Sequence, residues 1–186
     1  MALSGRKTFG ITADTSALGD FLDALGEEAE AAIRPAAQAI TQVLYDQVKL
    51  NVSMLGRVTG NLAGSIYQAY SPEHSEDGKR AEYHVSWNHK KAPHGHLVEY
   101  GYIQRYRYYQ DNQGNVRPMV RPGMEGQKRP SRRASDAAKA AYYVTLDTPK
   151  QVPGKAFVRN AASKMGEALL AGEKVLLERI MQKASK

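Results

Sequence analysis

The sequence predicts an α+β fold, in which an antiparallel sheet packs against a long N-terminal helix and a long C-terminal helix. Three observations support this class. Apolar residues recur every three or four positions near each end of the chain, as on one face of an amphipathic helix. Between these segments, shorter stretches alternate apolar and polar residues and are separated by turn residues. The chain has 186 residues, of which 42% are apolar, so it can bury a core, and we expect a single domain, 1–186, with a large loop.

The N-terminal helix is predicted to run from about Ser16 to Met54, with Asp14, Thr15 or Ser16 as its cap. Pro35 lies inside this segment, where it removes one backbone donor and crowds the preceding turn. The helix should therefore kink near Pro35 or break into two pieces.

Two antiparallel strands, Ile66 to Tyr70 and Arg80 to Trp87, are predicted next, joined through Ser75-Glu76-Asp77-Gly78. From Glu82 to Trp87 polar residues alternate with aromatic or aliphatic ones. This alternation indicates one buried face.

An insertion at about 102–140 is predicted to form an extended basic loop or hairpin. Its strands are Tyr102 to Tyr109 and Val116 to Val120, with Asp111-Asn112-Gln113-Gly114 as the turn, and Tyr142 to Leu146 is predicted as a further strand. The segment from Gly123 to Ala138 has hardly any apolar residue, so we expect it to be mobile until something binds it.

The last helix is predicted from about Lys155 to Lys183, a length of roughly 40 Å at the helical rise per residue. A helix of this length can cover a sheet and still reach a neighbouring subunit. Its predicted apolar face consists of Val158, Ala162, Met165, Leu169, Gly172, Leu176 and Ile180.

The formal net charge of +7 is unevenly distributed. From Gly101 to Arg133 there are eight basic residues against two acidic ones, a net of 8 − 2 = +6, and the rest of the chain is nearly neutral. Tyrosines are concentrated in or beside the same segment, at positions 100, 102, 106, 108 and 109.

The chain has no cysteine, which excludes a disulfide scaffold and a thiolate zinc site and favours an intracellular place of synthesis. No stretch approaches the roughly 18 apolar residues that a membrane span needs. Residues Met1 to Gly10 lack the hydrophobic core of a signal peptide. We therefore expect a soluble protein with no membrane partner.

All five histidines fall between His74 and His96, and His94, His96 and Glu99 could be drawn as a metal cluster. His94 and His96 straddle a glycine on a loop, however, whereas a metal hydrolase usually holds paired histidines on one rigid element. The alternative is that His96 caps or packs a short helix and that Glu99 pairs with an arginine of this or a neighbouring subunit. No nucleophile motif or phosphate-binding loop is present, so we expect no enzyme, no cofactor and no bound metal.

Three segments carry a family resemblance: residues 59–66, TGNLAGSI; residues 96–101, HLVEYG; and residues 153–161, PGKAFVRNA. Gly101 is placed to end a short helix before a strand, and Phe157 is placed to anchor the last helix to the core. In this order, between two flanking helices, the segments resemble the bacteriophage tail-completion (neck) proteins typified by gene product ten of phage HK ninety-seven. The chain departs from the family pattern in its long segment from Tyr102 to Gln151. The matching positions are Thr59, Gly60, Leu62, Ser65, His96, Leu97, Val98, Glu99, Gly101, Pro153, Gly154, Phe157 and Ala161.

The resemblance implies a structural virion protein of a long-tailed phage, made in the host cytoplasm and located in the neck at the top of the tail. It implies a ring, of six copies, that joins the head-closure complex to the tail tube and lets DNA pass. The implied partners are further copies of the chain, the head-closure (stopper) or connector protein, the tail terminator and the tail tube proteins, with transient, sequence-independent passage of DNA. One alternative is a basic nucleic-acid-binding protein or metal-dependent nuclease. A closer alternative is a tail terminator protein.

Tyrosine and arginine alternate from Tyr102 to Tyr109 with a period of two, which is typical of a half-buried strand at a protein interface but also of a nucleic-acid surface. We favour subunit contact for this strand. For the basic stretch, contact with DNA in the lumen and contact with a partner protein both stay open. The candidate interface residues are Tyr102, Arg105, Tyr106, Arg107, Tyr108, Phe157 and Arg159, and the candidate DNA or partner contacts are Arg121, Lys128, Arg129, Arg132 and Arg133.

Overall fold

The computed structural model describes residues 11–12, 26–56 and 60–184. Its helices are α1 (Glu27–Ser53), α2 (Gly95–Tyr100), α3 (Asp136–Tyr142) and α4 (Met165–Ala184). Its strands are β1 (Ile11–Thr12), β2 (Ile66–Tyr70), β3 (Tyr83–Trp87), β4 (Gly101–Tyr106), β5 (Tyr108–Gln110), β6 (Val116–Pro118) and β7 (Thr145–Pro153). All strand pairs in the described ranges are antiparallel, in the order β1-β3-β2 and in the pairs β4-β7 and β5-β6. The predicted α+β class is confirmed.

The chain folds into two compact units. The body unit contains the described residues up to Glu99 and from Ala156 onward, and the inserted unit is Tyr100–Lys155. The inserted unit contains the predicted basic insertion, so the departure from the family pattern corresponds to a separate piece of structure.

The core of the body unit lies between α1, α4 and the β1-β3-β2 sheet. Along α1, the buried positions include Ile33, Ile40, Leu44 and Val48, which share one helical face. Gly172 of α4 lies directly against α1, because a Cβ placed there would be 2.5 Å from Ile40 Cγ1. This close approach lets the two long helices pack directly against each other.

Helix α1 continues through Pro35, so the predicted possibility of a break into two pieces is wrong. The carbonyl that Pro35 leaves without its usual partner belongs to Ala31, which is exposed and can be hydrated. The predicted start at Ser16 and the caps Asp14, Thr15 and Ser16 lie outside the described residues.

Helix α4 begins at Met165 and not near Lys155, because a 3-10 turn, Arg159–Lys164, precedes it. A 3-10 turn has three residues per turn, so the buried face advances from Val158 to Ala161 and not to Ala162. Ala162, which was predicted to face the core, is therefore exposed. Leu169 on α4 was also predicted to face the core and is exposed.

Strand β2 has the predicted bounds, whereas β3 begins three residues later than predicted, at Tyr83. Tyr83, Val85 and Trp87 are buried as expected, but Ser86 on the opposite face is buried too. Glu82, just before β3, is also buried and accepts a hydrogen bond of 2.7 Å from Arg80. The prediction of a single buried face is wrong, because Glu82 and Ser86 are buried as well.

In the inserted unit, the predicted strand 102–109 is divided. Its first part, β4, pairs with β7, while its end, β5, forms the predicted hairpin with β6 across the Asp111 turn. The predicted strand from Tyr142 to Leu146 begins too early, because Tyr142 ends α3 and β7 begins at Thr145. An alanine-rich sequence and a Ser135 cap, whose side chain accepts a hydrogen bond from the Ala138 amide, favour helix there.

Candidate assembly surfaces

The segment HLVEYG forms α2 and the first residue of β4. Gly101 has a positive φ of 81°. A Cβ at this position would lie 2.5 Å from the Val152 carbonyl oxygen and 2.6 Å from the Gly154 amide nitrogen. Only glycine satisfies both constraints, which confirms the predicted helix end.

Glu99 is fully buried in the body unit. Both oxygens of its carboxylate accept hydrogen bonds from residues at the start of the C-terminal segment. Oε2 accepts from the Val158 amide at 2.9 Å, and Oε1 accepts from the Arg159 amide at 3.3 Å and from Arg159 Nε at 2.9 Å. The Glu99 backbone carbonyl accepts from the Arg159 guanidinium at 2.8 Å and from the Ala156 amide at 3.1 Å. The sequence left open whether Glu99 pairs with an arginine of this chain or of a neighbouring subunit, and the structure shows Arg159 of the same chain. We call these contacts the Glu99 cluster.

Phe157 lies beside the Glu99 cluster and is fully buried. Its ring meets Trp87 edge to face, with centroids 5.5 Å apart, and its carbonyl accepts a hydrogen bond of 2.8 Å from Asn51. The side chain thus anchors the start of the C-terminal segment to α1 and β3, as predicted. A side chain without exposed area does not itself touch another subunit, so its burial argues against the parallel prediction of Phe157 as an interface residue.

Residues 60–65 of the segment TGNLAGSI form the turn that leads into β2. Gly60 has a φ of 76°, and its carbonyl accepts from the Gly64 amide at 3.0 Å. Ser65 is buried and donates to the Leu62 carbonyl at 2.7 Å, while Leu62 packs on the core. Thr59 lies outside the described residues. These positions support the fold of the body unit.

The histidines and the carboxylate of the candidate metal cluster are in different environments. His94 and His96 are exposed, whereas Glu99 is buried and its oxygens already accept hydrogen bonds. In the part of the chain that the structure describes, no three histidine or carboxylate side chains are grouped to hold a metal ion.

The two faces of β4 follow the predicted alternation. Tyr102 and Tyr106 are half-buried, whereas Ile103 and Arg105 are exposed. Arg105 forms an ion pair with Asp136, the first residue of α3. Tyr108 belongs to β5, so the candidate interface residues of this segment lie on two strands with different partners.

A tyrosine cluster occupies the interior of the inserted unit. Tyr142 and Tyr143 are its only large buried side chains among the described residues, and their rings meet edge to face at 4.9 Å. Tyr106 lies 5.5 Å from Tyr143. Burial is the main cause that raises the pKa of Tyr108, and the nearby Tyr102, Tyr106 and Tyr143 raise it further.

Residues 16–101 match the model of a family described as "Bacteriophage HK97-gp10, putative tail-component". This segment is similar to the HK97-gp10-like family. The match includes the first two motifs and ends at Gly101, two residues into the inserted unit. No curated protein and no solved structure matches the chain. The family indicates a component of a bacteriophage tail, and therefore a place in the virion among other tail proteins.

Beyond the HK97-gp10-like segment, the inserted unit carries the entire net charge of the protein. It contains eleven basic and four acidic residues, a net of 11 − 4 = +7, while the remaining residues contribute fifteen of each sign. Among the described helices of the protein, none is long and apolar enough to cross a bilayer.

The structure divides the predicted DNA or partner contacts into two groups. Arg121 donates to the carbonyls of Ala140 and Tyr143, at 2.8 and 3.1 Å, and Arg129 donates to the Tyr143 hydroxyl at 2.7 Å. The other three, Lys128, Arg132 and Arg133, are exposed, and their side chains form no hydrogen bond or ion pair with a described residue. The sequence shows only a run of positive charge, so this division was not predictable from it.

Proposed function

We propose that the protein is the tail-completion protein of a long-tailed phage, a neck ring that joins the head-closure complex to the tail tube and lets DNA pass. The observation that carries this proposal is the HK97-gp10-like match over residues 16–101. The third motif builds the Glu99 cluster with the second, and this contact supports the extension of the likeness to the C-terminal segment.

The proposed mechanism is assembly, with no bond made or broken. The carboxylate of the candidate metal cluster is engaged in the fold, since Glu99 accepts hydrogen bonds from the Val158 and Arg159 amides. This favours a structural role over the nuclease alternative.

A ring of identical subunits needs two different patches that meet around the axis. Helix α4 offers one candidate patch, because Leu170, Leu177 and Met181 are exposed at spacings of seven and four residues and therefore share one side of the helix. We assign the neighbouring copy to this stripe, in line with the predicted role of the C-terminal helix. The second patch, which would meet this stripe on the next copy, is assigned to the exposed β4 residues Ile103 and Arg105.

Deletion of the gene from the phage, with complementation from a plasmid, tests the proposal. Electron microscopy of the lysate should show filled heads and separate tails without the protein, and joined particles with it. Joined, infectious particles in its absence would refute the proposal. A reconstruction of the neck at side-chain resolution gives the copy number and separates tail completion from the tail terminator role by the position of the ring relative to the tube.

A further inference from the structure

We propose that Lys128, Arg132 and Arg133 of the inserted unit form a contact for the phosphate backbone of double-stranded DNA, read without regard to sequence. The proposal rests on the proposed neck function, which brings DNA past the protein. We call these three residues the phosphate-contact loop.

The first step concerns which basic side chains of the inserted unit have partners within the protein. Two other arginines of the inserted unit are paired with carboxylates, Arg105 with Asp136 and Arg117 with Asp111. Arg121 and Arg129 keep their charge, but their side chains donate to backbone carbonyls and to the Tyr143 hydroxyl. The acidic residues that flank the phosphate-contact loop are also engaged, because Glu125 accepts from the Gly123 amide at 2.7 Å and Asp136 pairs with Arg105. The charge of the loop is therefore not neutralised within the inserted unit.

The second step concerns how the loop is held. Tyr142 donates from its hydroxyl to the Gln127 carbonyl at 3.2 Å, and Arg129 reaches the Tyr143 hydroxyl at 2.7 Å. Lys128 thus lies between two residues that are tied to the buried tyrosines. Arg132 and Arg133 occupy a turn closed by the Ala134 amide and the Ser131 carbonyl at 3.0 Å. The three cationic side chains thus lie within six residues of one another along a loop that these hydrogen bonds hold in place.

The third step concerns the partner. A specific protein interface has an apolar or aromatic centre, and residues 125–135 contain no large apolar side chain. The body unit of another copy is neutral overall, with fifteen charges of each sign, so it offers no excess of negative charge. A phosphate backbone requires only exposed cations, because binding is driven by the release of counterions. These observations favour DNA over an acidic protein surface.

The test measures binding of the purified full-length protein to a fluorescent 30-bp duplex of mixed sequence between 50 and 200 mM salt. Each phosphate contact steepens the dependence of log affinity on log salt by about 0.9. The variant Lys128→Gln/Arg132→Gln/Arg133→Gln should lose about 2.7 of this slope, so the affinity ratio between the two salt concentrations should fall by roughly 40-fold. The matched control Lys90→Gln/Lys91→Gln/Arg179→Gln removes the same charge from exposed positions of the body unit and should keep the wild-type slope.

A second variant, Lys128→Arg/Arg132→Lys/Arg133→Lys, keeps the charge and should keep both slope and affinity. Circular dichroism checks that all variants are folded. Three outcomes would overturn the proposal: an unchanged slope in the glutamine variant, an equal loss in the body-unit control, or binding of poly-glutamate in preference to the duplex. Particle joining is a separate measurement. Absence of DNA binding in a protein needed for joining would remove only the phosphate contact, and DNA binding by a protein dispensable for joining would remove only the neck assignment.

Discussion

Replacement of Glu99 by glutamine is the sharpest test of how the C-terminal segment is held in the body unit. The substitution keeps the size of the side chain but replaces one acceptor oxygen by an NH₂ donor. If that NH₂ group occupies the Oε2 position, the Val158 amide loses its acceptor; if it occupies the Oε1 position, the Arg159 amide and Nε both lose theirs. Either orientation leaves at least one donor facing a donor.

The cost can be worked from these contacts. A buried N–H without a partner costs about 1–3 kcal/mol. Loss of the charge on Glu99 adds to this, although the Arg159 side chain is 45% exposed and solvent screens part of the ion pair. We therefore expect the free energy of unfolding to fall by about 2–3 kcal/mol, and the melting temperature to fall by roughly 4–12 °C for a chain of this size.

Thermal unfolding followed by circular dichroism measures this shift. Glu167→Gln is the matched control, because Glu167 pairs with Lys164 on the exposed side of the protein and such pairs contribute about 0–1 kcal/mol. If Glu99→Gln and Glu167→Gln lower the melting temperature equally, the Glu99 cluster does not stabilise the body unit and the reasoning is wrong.

Three further predictions concern the helix packing, the hairpin turn and the proposed ring contact. Gly172→Ala should destabilise the protein by about 1–3 kcal/mol relative to Gly166→Ala, measured by denaturant unfolding, since the new methyl group meets Ile40 at position 172 and open space at position 166; equal stabilities would contradict the packing. The Asn115 and Gln113 amides and Arg117 lower the pKa of Asp111, so its stabilising effect on the hairpin exists above the ordinary value of about 4 and is lost as pH falls through the lowered pKa. An acid titration of the Gln113 and Asn115 amide resonances checks this, and a midpoint at or above pH 4 would oppose it. Leu170→Asp/Leu177→Asp should leave the melting temperature nearly unchanged, because both side chains are exposed, but should prevent particle joining in the complementation assay; Glu173→Gln on the same helix should join particles normally, and normal joining by the double variant would exclude α4 from the ring contact.

Local patterns in the chain were sufficient for the elements whose conformation depends on near neighbours. The bounds of β2, the end of α2 at Gly101 and the Asp111 turn all follow from short-range rules of alternation, positive φ and side-chain-to-backbone hydrogen bonds. The same rules failed at two places. A 3-10 turn precedes α4 where a regular helix was predicted, and the capped, alanine-rich helix α3 includes Tyr142 where a strand was predicted.

The candidate site depended on contacts that join distant parts of the chain. The sequence placed a single carboxylate at Glu99 and an anchor at Phe157, and it showed a run of positive charge around Arg121 to Arg133. Only the folded chain decided that Glu99 accepts hydrogen bonds from the Val158 and Arg159 amides. It also decided that Arg121 and Arg129 donate hydrogen bonds within the inserted unit, whereas the Lys128 side chain forms none with a described residue. The physical reason is that charge and polarity are properties of single residues, whereas the availability of a charge depends on which donors and acceptors tertiary packing brings within about 3 Å of it.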